Sequence, residues 1–107
     1  MKSTHQVYLI SDSTGETLDR IFMALKAQFN NFDYDLKQFS FTRTENQIST
    51  ILNDAREKES PIILYTVVNS KLAKFLAEEA SKKNIPCFII HFNILFKLFF
   101  CILKFFI

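Results

Sequence analysis

The sequence predicts an α/β fold in which a parallel sheet of about four strands carries three covering helices, in the order β-α-β-α-β-α-β. Short continuous apolar runs recur along the chain, segments with helical spacing separate them, and capping or turn residues mark the boundaries. Strands buried on both faces of a parallel sheet have such apolar runs, and their alternation with helices is typical of repeated βαβ units.

The first strand is predicted over residues 7–10, directly before residues 11–17, a segment that contains the only glycine of the chain, Gly15. Ser13 and Glu16 have the spacing of a capping box, which predicts a helix start at this point. The helix is expected to end by Asn30 and Asn31. Its buried stripe consists of residues at three- and four-residue steps, namely Leu18, Ile21, Phe22, Leu25 and Phe29.

The second strand is predicted over residues 36–41, and Thr44 with Gln47 forms a second capping box behind it. The helix that follows ends before Pro61, because proline cannot continue a helix. Its apolar positions are Ile48, Ile51, Leu52 and Ala55.

The third strand is predicted over residues 62–68, with Asn69 or Ser70 as the cap of the third helix. That helix carries its apolar stripe on Leu72, Phe75, Leu76 and Ala80. A fourth strand is predicted over residues 87–90, and it completes the alternating pattern.

Composition and charge give no signal for nucleic acid, secretion or metal binding. The 107 residues include 13 basic and 11 acidic side chains, and the two excess charges, Lys97 and Lys104, lie near the end. Cys87 and Cys101 have no metal-ligand spacing. The apolar run after Gln6 is too short for a signal peptide. We therefore expect a cytoplasmic protein with no nucleic-acid partner and no metal site.

The last twenty residues differ from the rest, so residues 1–87 are predicted as the α/β domain and residues 88–107 as a separate apolar segment. Seven of these twenty are Phe, five Ile and three Leu. Three interpretations stay open: a frameshifted or truncated product of an AT-rich gene, a membrane-associated segment, and an ordinary buried terminus. Twenty apolar residues can span a bilayer, but Lys97 near the middle opposes that interpretation.

Four stretches carry a resemblance to a known family. Ser-Asp-Ser-Thr-Gly-Glu-Thr follows the first strand at residues 11–17, and Phe-Thr-Arg-Thr-Glu-Asn-Gln follows at residues 41–47. Ile-Ile-Leu-Tyr-Thr at 62–66 and Ile-Pro-Cys at 85–87 occur in the expected order. Residues 5–88 thus resemble the N-terminal part of the pyruvate, phosphate dikinase regulatory protein family, which includes the phosphoenolpyruvate synthase regulators.

The resemblance implies a bifunctional serine/threonine kinase and phosphorylase. Such enzymes use ADP to phosphorylate a threonine of the dikinase, and use phosphate to remove that group with release of pyrophosphate. ADP and phosphate are thus the substrates, and the dikinase or the synthase is the partner. The family's nucleotide-binding P-loop lies in the second half of a longer chain. With one glycine, this sequence has no G-x-x-x-x-G-K-[ST] motif. We therefore expect a truncated form that binds no cofactor and is inactive alone.

The turn after the first strand is the candidate substrate- or phosphate-binding site. Backbone N–H groups at a helix start, together with hydroxyl groups, can hold an anionic group, although a capped connection is the alternative. The candidate residues of this turn are Ser11, Ser13, Thr14, Gly15 and Thr17.

Arg43 and Asp12 complete the candidate set. Arg43 follows the second strand, whose end should lie beside that of the first, so its guanidinium is predicted near the turn. Placement on the open surface is the alternative. Asp12 is the one catalytic candidate, as a general base or a metal ligand, with turn formation as its alternative.

Two other functions stay open beside the regulatory enzyme. The first is a non-catalytic module that binds the dikinase or a phosphorylated ligand through residues 11–17 and Arg43. The second is a small membrane-anchored protein that uses residues 88–107 as its anchor.

Overall fold

Alternating strands and helices make up the part of the chain that the structure, a computed structural model, describes, residues 4–28 and 33–90. The predicted α/β fold and its order of elements are confirmed. The elements are β1 (His5–Ser11), α1 (Glu16–Gln28), β2 (Tyr34–Phe39), α2 (Glu45–Arg56), β3 (Pro61–Thr66), α3 (Ser70–Lys82) and β4 (Cys87–Ile89).

The four strands form one parallel sheet in the order β2-β1-β3-β4. β1 is central and pairs on both sides, with Tyr8 opposite Lys37 of β2 and opposite Ile63 of β3. Because all strands run the same way, their carboxyl ends lie along one edge of the sheet. The residues that follow β1, β2 and β3 are therefore neighbours in space.

Successive residues of β1 face opposite sides of the sheet and enter two separate cores. Val7 and Leu9 belong to a buried cluster with the apolar stripe of α1. Tyr8 and Ile10 belong to a second cluster with the buried residues of α2 and α3. The sheet is therefore covered by α1 on one face and by α2 and α3 on the other.

Two of the predicted helix starts are confirmed in detail. The Gln47 N–H donates to Thr44 Oγ1 at 3.1 Å, and the Thr44 N–H donates to Gln47 Oε1 at 3.0 Å. These two bonds form the predicted capping box. At α3, the Leu72 N–H donates to Asn69 Oδ1 at 2.9 Å, so Asn69 is the cap.

The predicted capping box at Ser13 and Glu16 is wrong. α1 begins at Glu16, two residues later than that box requires, and the Gly15 carbonyl accepts from the Asp19 N–H at 2.9 Å. The Ser13 N–H instead donates to Ser11 Oγ at 3.1 Å. The hydroxyl of Ser11 thus bends the chain into a turn before the helix can start.

Every strand has at least one boundary that differs from the prediction by one or two residues, and the ends of β2 and β3 bear on the site. β2 ends at Phe39 rather than at residue 41, because Phe41 has a φ of 54° and so leaves the extended conformation. Its N–H donates to the Ser13 carbonyl at 2.9 Å. β3 ends at Thr66 rather than at residue 68. The predicted end of the first helix at Asn30 and Asn31 lies outside the described residues.

The boundary predicted at residue 88 falls inside β4, and Ile90 is buried in the cluster on the α1 side. The division into two segments stays a prediction, and residues 91–107 lie outside the described part of the chain. The interpretations of that segment therefore stay open. No helix within residues 4–28 and 33–90 has the length and apolar character needed to cross a bilayer.

Candidate functional site

The candidate site lies at the carboxyl edge of the sheet, where the chain leaves β1 and β3 in opposite directions. The loop after β1 leads to α1 on one face, and the loop after β3 leads to α3 on the other. Such divergence opens a crevice at the strand ends, which is where open parallel sheets bind ligands. The turn at residues 11–17 stands on this edge.

Ser11 fixes the turn from inside the protein. Its side chain is only 2% exposed, and its hydroxyl lies 3.1 Å from that of Ser13 and 3.4 Å from that of Thr66. It also accepts from the Ser13 N–H. The side chains of Ser13, Thr14 and Thr17 are exposed. A ligand above the turn would therefore meet these three hydroxyls, while Ser11 holds the backbone in place.

Gly15 is required by its backbone conformation, which has a φ of 84°. A residue other than glycine rarely adopts such a φ without strain. Space is not the constraint, since an added Cβ would lie 3.5 Å from Ser40 Oγ and 3.7 Å from Ser11 Cβ. Ser40 Oγ also donates to the Thr14 carbonyl at 2.8 Å. The glycine thus permits the turn, and the segment after β2 supports it.

Arg43 lies against the turn, as the sequence predicts. Its Nε donates to the Asp12 carbonyl at 3.2 Å, and its guanidinium carbon lies 5.2 Å from the centroid of the Phe41 ring. These two contacts hold the plane of the guanidinium. The role of Arg43 in binding an anion stays a prediction, but its placement beside the candidate turn is established.

The Asp12 carboxylate has a structural contact. Its Oδ2 accepts from the Val68 N–H at 2.8 Å, which joins the loop after β1 to the loop after β3. The Val68 side chain is 89% exposed beside this link. No group of three or more His, Cys, Asp or Glu side chains that could hold a metal occurs in the described ranges. The catalytic role of Asp12 stays a prediction.

Two spaces at this edge of the sheet differ in volume. The cavity next to the glycine turn has a volume of about 10 Å³ and is lined by residues that include Ser11, Thr14 and Gly15. Arg43 also lines an open cleft of about 260 Å³, together with Glu45, Asn69, Lys71 and Leu72. The larger space therefore lies toward the starts of α2 and α3.

Sequence reasoning missed Lys71 and Glu45 as residues of this edge. The signal was present, because Lys71 follows β3 and Glu45 follows β2 in the same way that Arg43 does. Another cleft of about 260 Å³ is lined, among the described residues, by uncharged side chains alone, namely Phe39, Ser40, Thr42, Gln47, Thr50 and Ile51. Of these two clefts, only the one at Arg43 has the charge to attract an anion.

Comparison with known proteins gives a consistent set of similarities. The family model described as Kinase/pyrophosphorylase matches residues 7–99. A protein from Pelagibacter ubique (strain HTCC1062) is 57% identical over 95 residues, which cover 89% of this chain. Proteins from Alkaliphilus oremlandii and Geotalea uraniireducens are 40% and 39% identical over 79% and 87% of this chain. All three are named as pyruvate, phosphate dikinase regulatory proteins.

The chain spans about a third of the length of these curated relatives, since the matches cover 35%, 30% and 34% of them. The family match continues to residue 99, eleven residues beyond residue 88. The match thus includes the candidate turn, Arg43 and Lys71.

Proposed function

This chain belongs to the kinase/pyrophosphorylase family, and on that premise we propose that it is the N-terminal part of a bifunctional enzyme that regulates pyruvate, phosphate dikinase. The activity would be ADP-dependent phosphorylation of a threonine of the dikinase and phosphate-dependent removal of the same group. Phosphoenolpyruvate synthase is the alternative partner, and the site of action would be the cytoplasm.

The names of the relatives support the regulatory role, and one contact supports the involvement of this edge of the sheet. That contact is the hydrogen bond from Arg43 Nε to the Asp12 carbonyl, which fixes a cation beside the turn after β1. Arginine binds phosphoryl groups through its two terminal NH₂ groups, and its Nε is not needed for that geometry. Arg43 is therefore held in a position from which it can receive an anion.

Phosphoryl transfer depends mainly on positioning the phosphates and neutralising their charge. In this proposal Arg43 positions one phosphoryl group at the carboxyl edge of the sheet, beside the turn after β1. The 107 residues contain no P-loop motif. We expect that this chain alone binds phosphate but does not transfer phosphate from ADP.

The proposal is tested first by calorimetry with inorganic phosphate and pyrophosphate on the whole chain. Arg43→Gln should weaken the binding about tenfold, because one charge-assisted contact is lost. Arg56→Gln is the matched control, since Arg56 is an exposed arginine at the end of α2. Equal affinities of the Arg43→Gln variant and the wild type would contradict the proposed anion site.

The expected inactivity of this chain is tested by incubation of the pure chain with ADP and the dikinase in the form whose threonine is unphosphorylated. We expect no transfer to the threonine, and transfer by the pure chain would contradict the expected inactivity. A non-catalytic binding module is the second candidate, which the Arg43 cleft favours. Association of the chain with the dikinase in the absence of ADP and phosphate would support that function.

A further inference from the structure

We propose that the cleft between the starts of α2 and α3 is a phosphoryl-group subsite, in which Lys71 supplies a second positive charge opposite Arg43. The proposal rests on the proposed function. It adds that the phosphoryl group lies in the cleft toward α2 and α3, and that Lys71 is the second cation that binds it. It also names Glu45 as the carboxylate that lowers the affinity.

Two cations from different elements line this cleft. Arg43 belongs to the loop between β2 and α2, and Lys71 belongs to the first turn of α3. Neither forms an ion pair with a carboxylate within residues 4–28 and 33–90. Their charges are therefore available to a ligand in the cleft.

The backbone adds charge of the same sign. α2 and α3 both begin at the cleft, and the positive ends of helix dipoles favour anions. Thr44 and Asn69 cap the two helices through oxygen atoms, and those oxygens accept from the N–H groups of Gln47 and Leu72. With its oxygen used in this way, the Asn69 amide keeps its NH₂ group as a donor at the cleft wall.

The volume favours the cleft over the cavity at the glycine turn. That cavity, about 10 Å³, matches the space needed for one water molecule, about 10–15 Å³. The Ser11 hydroxyl that borders it already lies 3.1 Å from the hydroxyl of Ser13. The cleft of about 260 Å³ is open and has room for a phosphoryl group.

Among the described residues that line the cleft, Glu45 is the one that carries a carboxylate. It opposes an anion by charge repulsion, and so it lowers the affinity that Arg43 and Lys71 would otherwise give. The chemistry of the cleft fits a phosphoryl group, which could be free phosphate or a phosphorylated threonine side chain. The arms of the experiment separate these two sources.

The experiment measures the affinity of the whole chain for inorganic phosphate, pyrophosphate and O-phosphothreonine by calorimetry. Lys71→Gln should weaken the binding of the preferred probe about tenfold. Lys74→Gln is the control, because Lys74 lies on the same helix with its side chain 78% exposed. The affinity of this variant for the probe should stay within about twofold of the wild-type value. Tighter binding of O-phosphothreonine than of phosphate would identify the source as a phosphorylated side chain.

Glu45→Gln should act in the opposite direction and strengthen the binding of the same probe about threefold. This gain of affinity cannot come from a damaged fold, so it separates charge in the cleft from a loss of structure. If Arg43→Gln weakens binding while Lys71→Gln and Glu45→Gln leave it unchanged, the cleft proposal is wrong and the proposed anion site stands. If the wild type binds none of the three probes, both proposals fail.

Discussion

The Asp12 carboxylate accepts a hydrogen bond of 2.8 Å from the Val68 N–H, across 56 residues of sequence. This bond joins the two loops that diverge from the carboxyl ends of β1 and β3. Asp12, which the sequence predicts as a catalytic candidate, therefore also positions the loops of the candidate site.

Replacement of Asp12 tests the structural role of this bond. Asp12→Ala should lower the free energy of unfolding by about 1 kcal/mol, because the Val68 N–H loses its acceptor. Asp12→Asn keeps an oxygen acceptor and should cost less than half of that. Urea unfolding of both variants measures the difference. Equal stability of the alanine variant and the wild type would show that the bond does not support the loops.

Gly15→Ala tests the conformation of the turn. The φ of 84° strains any side chain, whereas the nearest atom to an added Cβ lies at an ordinary distance of 3.5 Å. We expect a loss of about 1–2 kcal/mol from strain alone. Gly15→Asn should cost less, because asparagine tolerates a left-handed backbone better than alanine. Thermal unfolding checks the order, and a larger loss for asparagine would indicate crowding instead.

Asp54 makes the stability of the chain depend on pH in the acidic range. Lys37 Nζ donates to its Oδ2 at 2.9 Å and the Tyr8 hydroxyl donates to the same oxygen at 2.7 Å. The hydrogen bond from Lys37, and then that from Tyr8, lowers the pKa of Asp54 below its ordinary value of 3.8. A lowered pKa stabilises the fold above the unfolded value, and the stabilisation is lost as pH falls through the folded value.

Asp54→Asn should therefore cost about 1 kcal/mol at neutral pH, through the loss of a charged acceptor. The difference from the wild type should shrink as the pH falls below 3.8. Denaturant unfolding at a series of pH values measures this. A difference that stays constant into acid would show that Asp54 is not the group responsible.

Cys87 should react slowly with thiol reagents while the chain is folded. Burial raises the pKa of its thiol to about 12, so little thiolate exists at neutral pH. In a Cys101→Ser variant, alkylation should be at least about tenfold faster in denaturant than in native buffer. Equal rates in both conditions would contradict the burial of this side chain.

The fold was predictable because its signals are local in sequence. Apolar runs and helical spacing mark every element, and the Thr44 and Gln47 capping box needs only residues three apart. The box predicted at Ser13 and Glu16 failed because the hydroxyl of Ser11, the first residue of the turn, accepts from the Ser13 N–H. Competing hydrogen bonds of this kind depend on the buried position of Ser11, which the local pattern does not contain.

The candidate site was predictable in part. The rule that charged residues after parallel strands share one edge placed Arg43 beside the turn, and the same rule applied to β3 would have found Lys71. The bond between Asp12 and the Val68 N–H could not be predicted from the sequence, because a backbone N–H donor does not depend on the type of side chain. The end of β2 at Phe39, two residues earlier than predicted, could not be predicted either. Phenylalanine at residue 41 is typical of a strand and not of a left-handed φ.

The double pairing of β1 has a consequence for hydrogen exchange. Its amide hydrogens donate to β2 or to β3, and the strand can separate from the sheet only if both ladders break, so they should exchange with solvent later than those of the three-residue edge strand β4. Ser11 is the last residue of this strand. The turn of the candidate site therefore begins at a strand that is paired on both sides, and local motion of the turn should leave the position of its first residue unchanged.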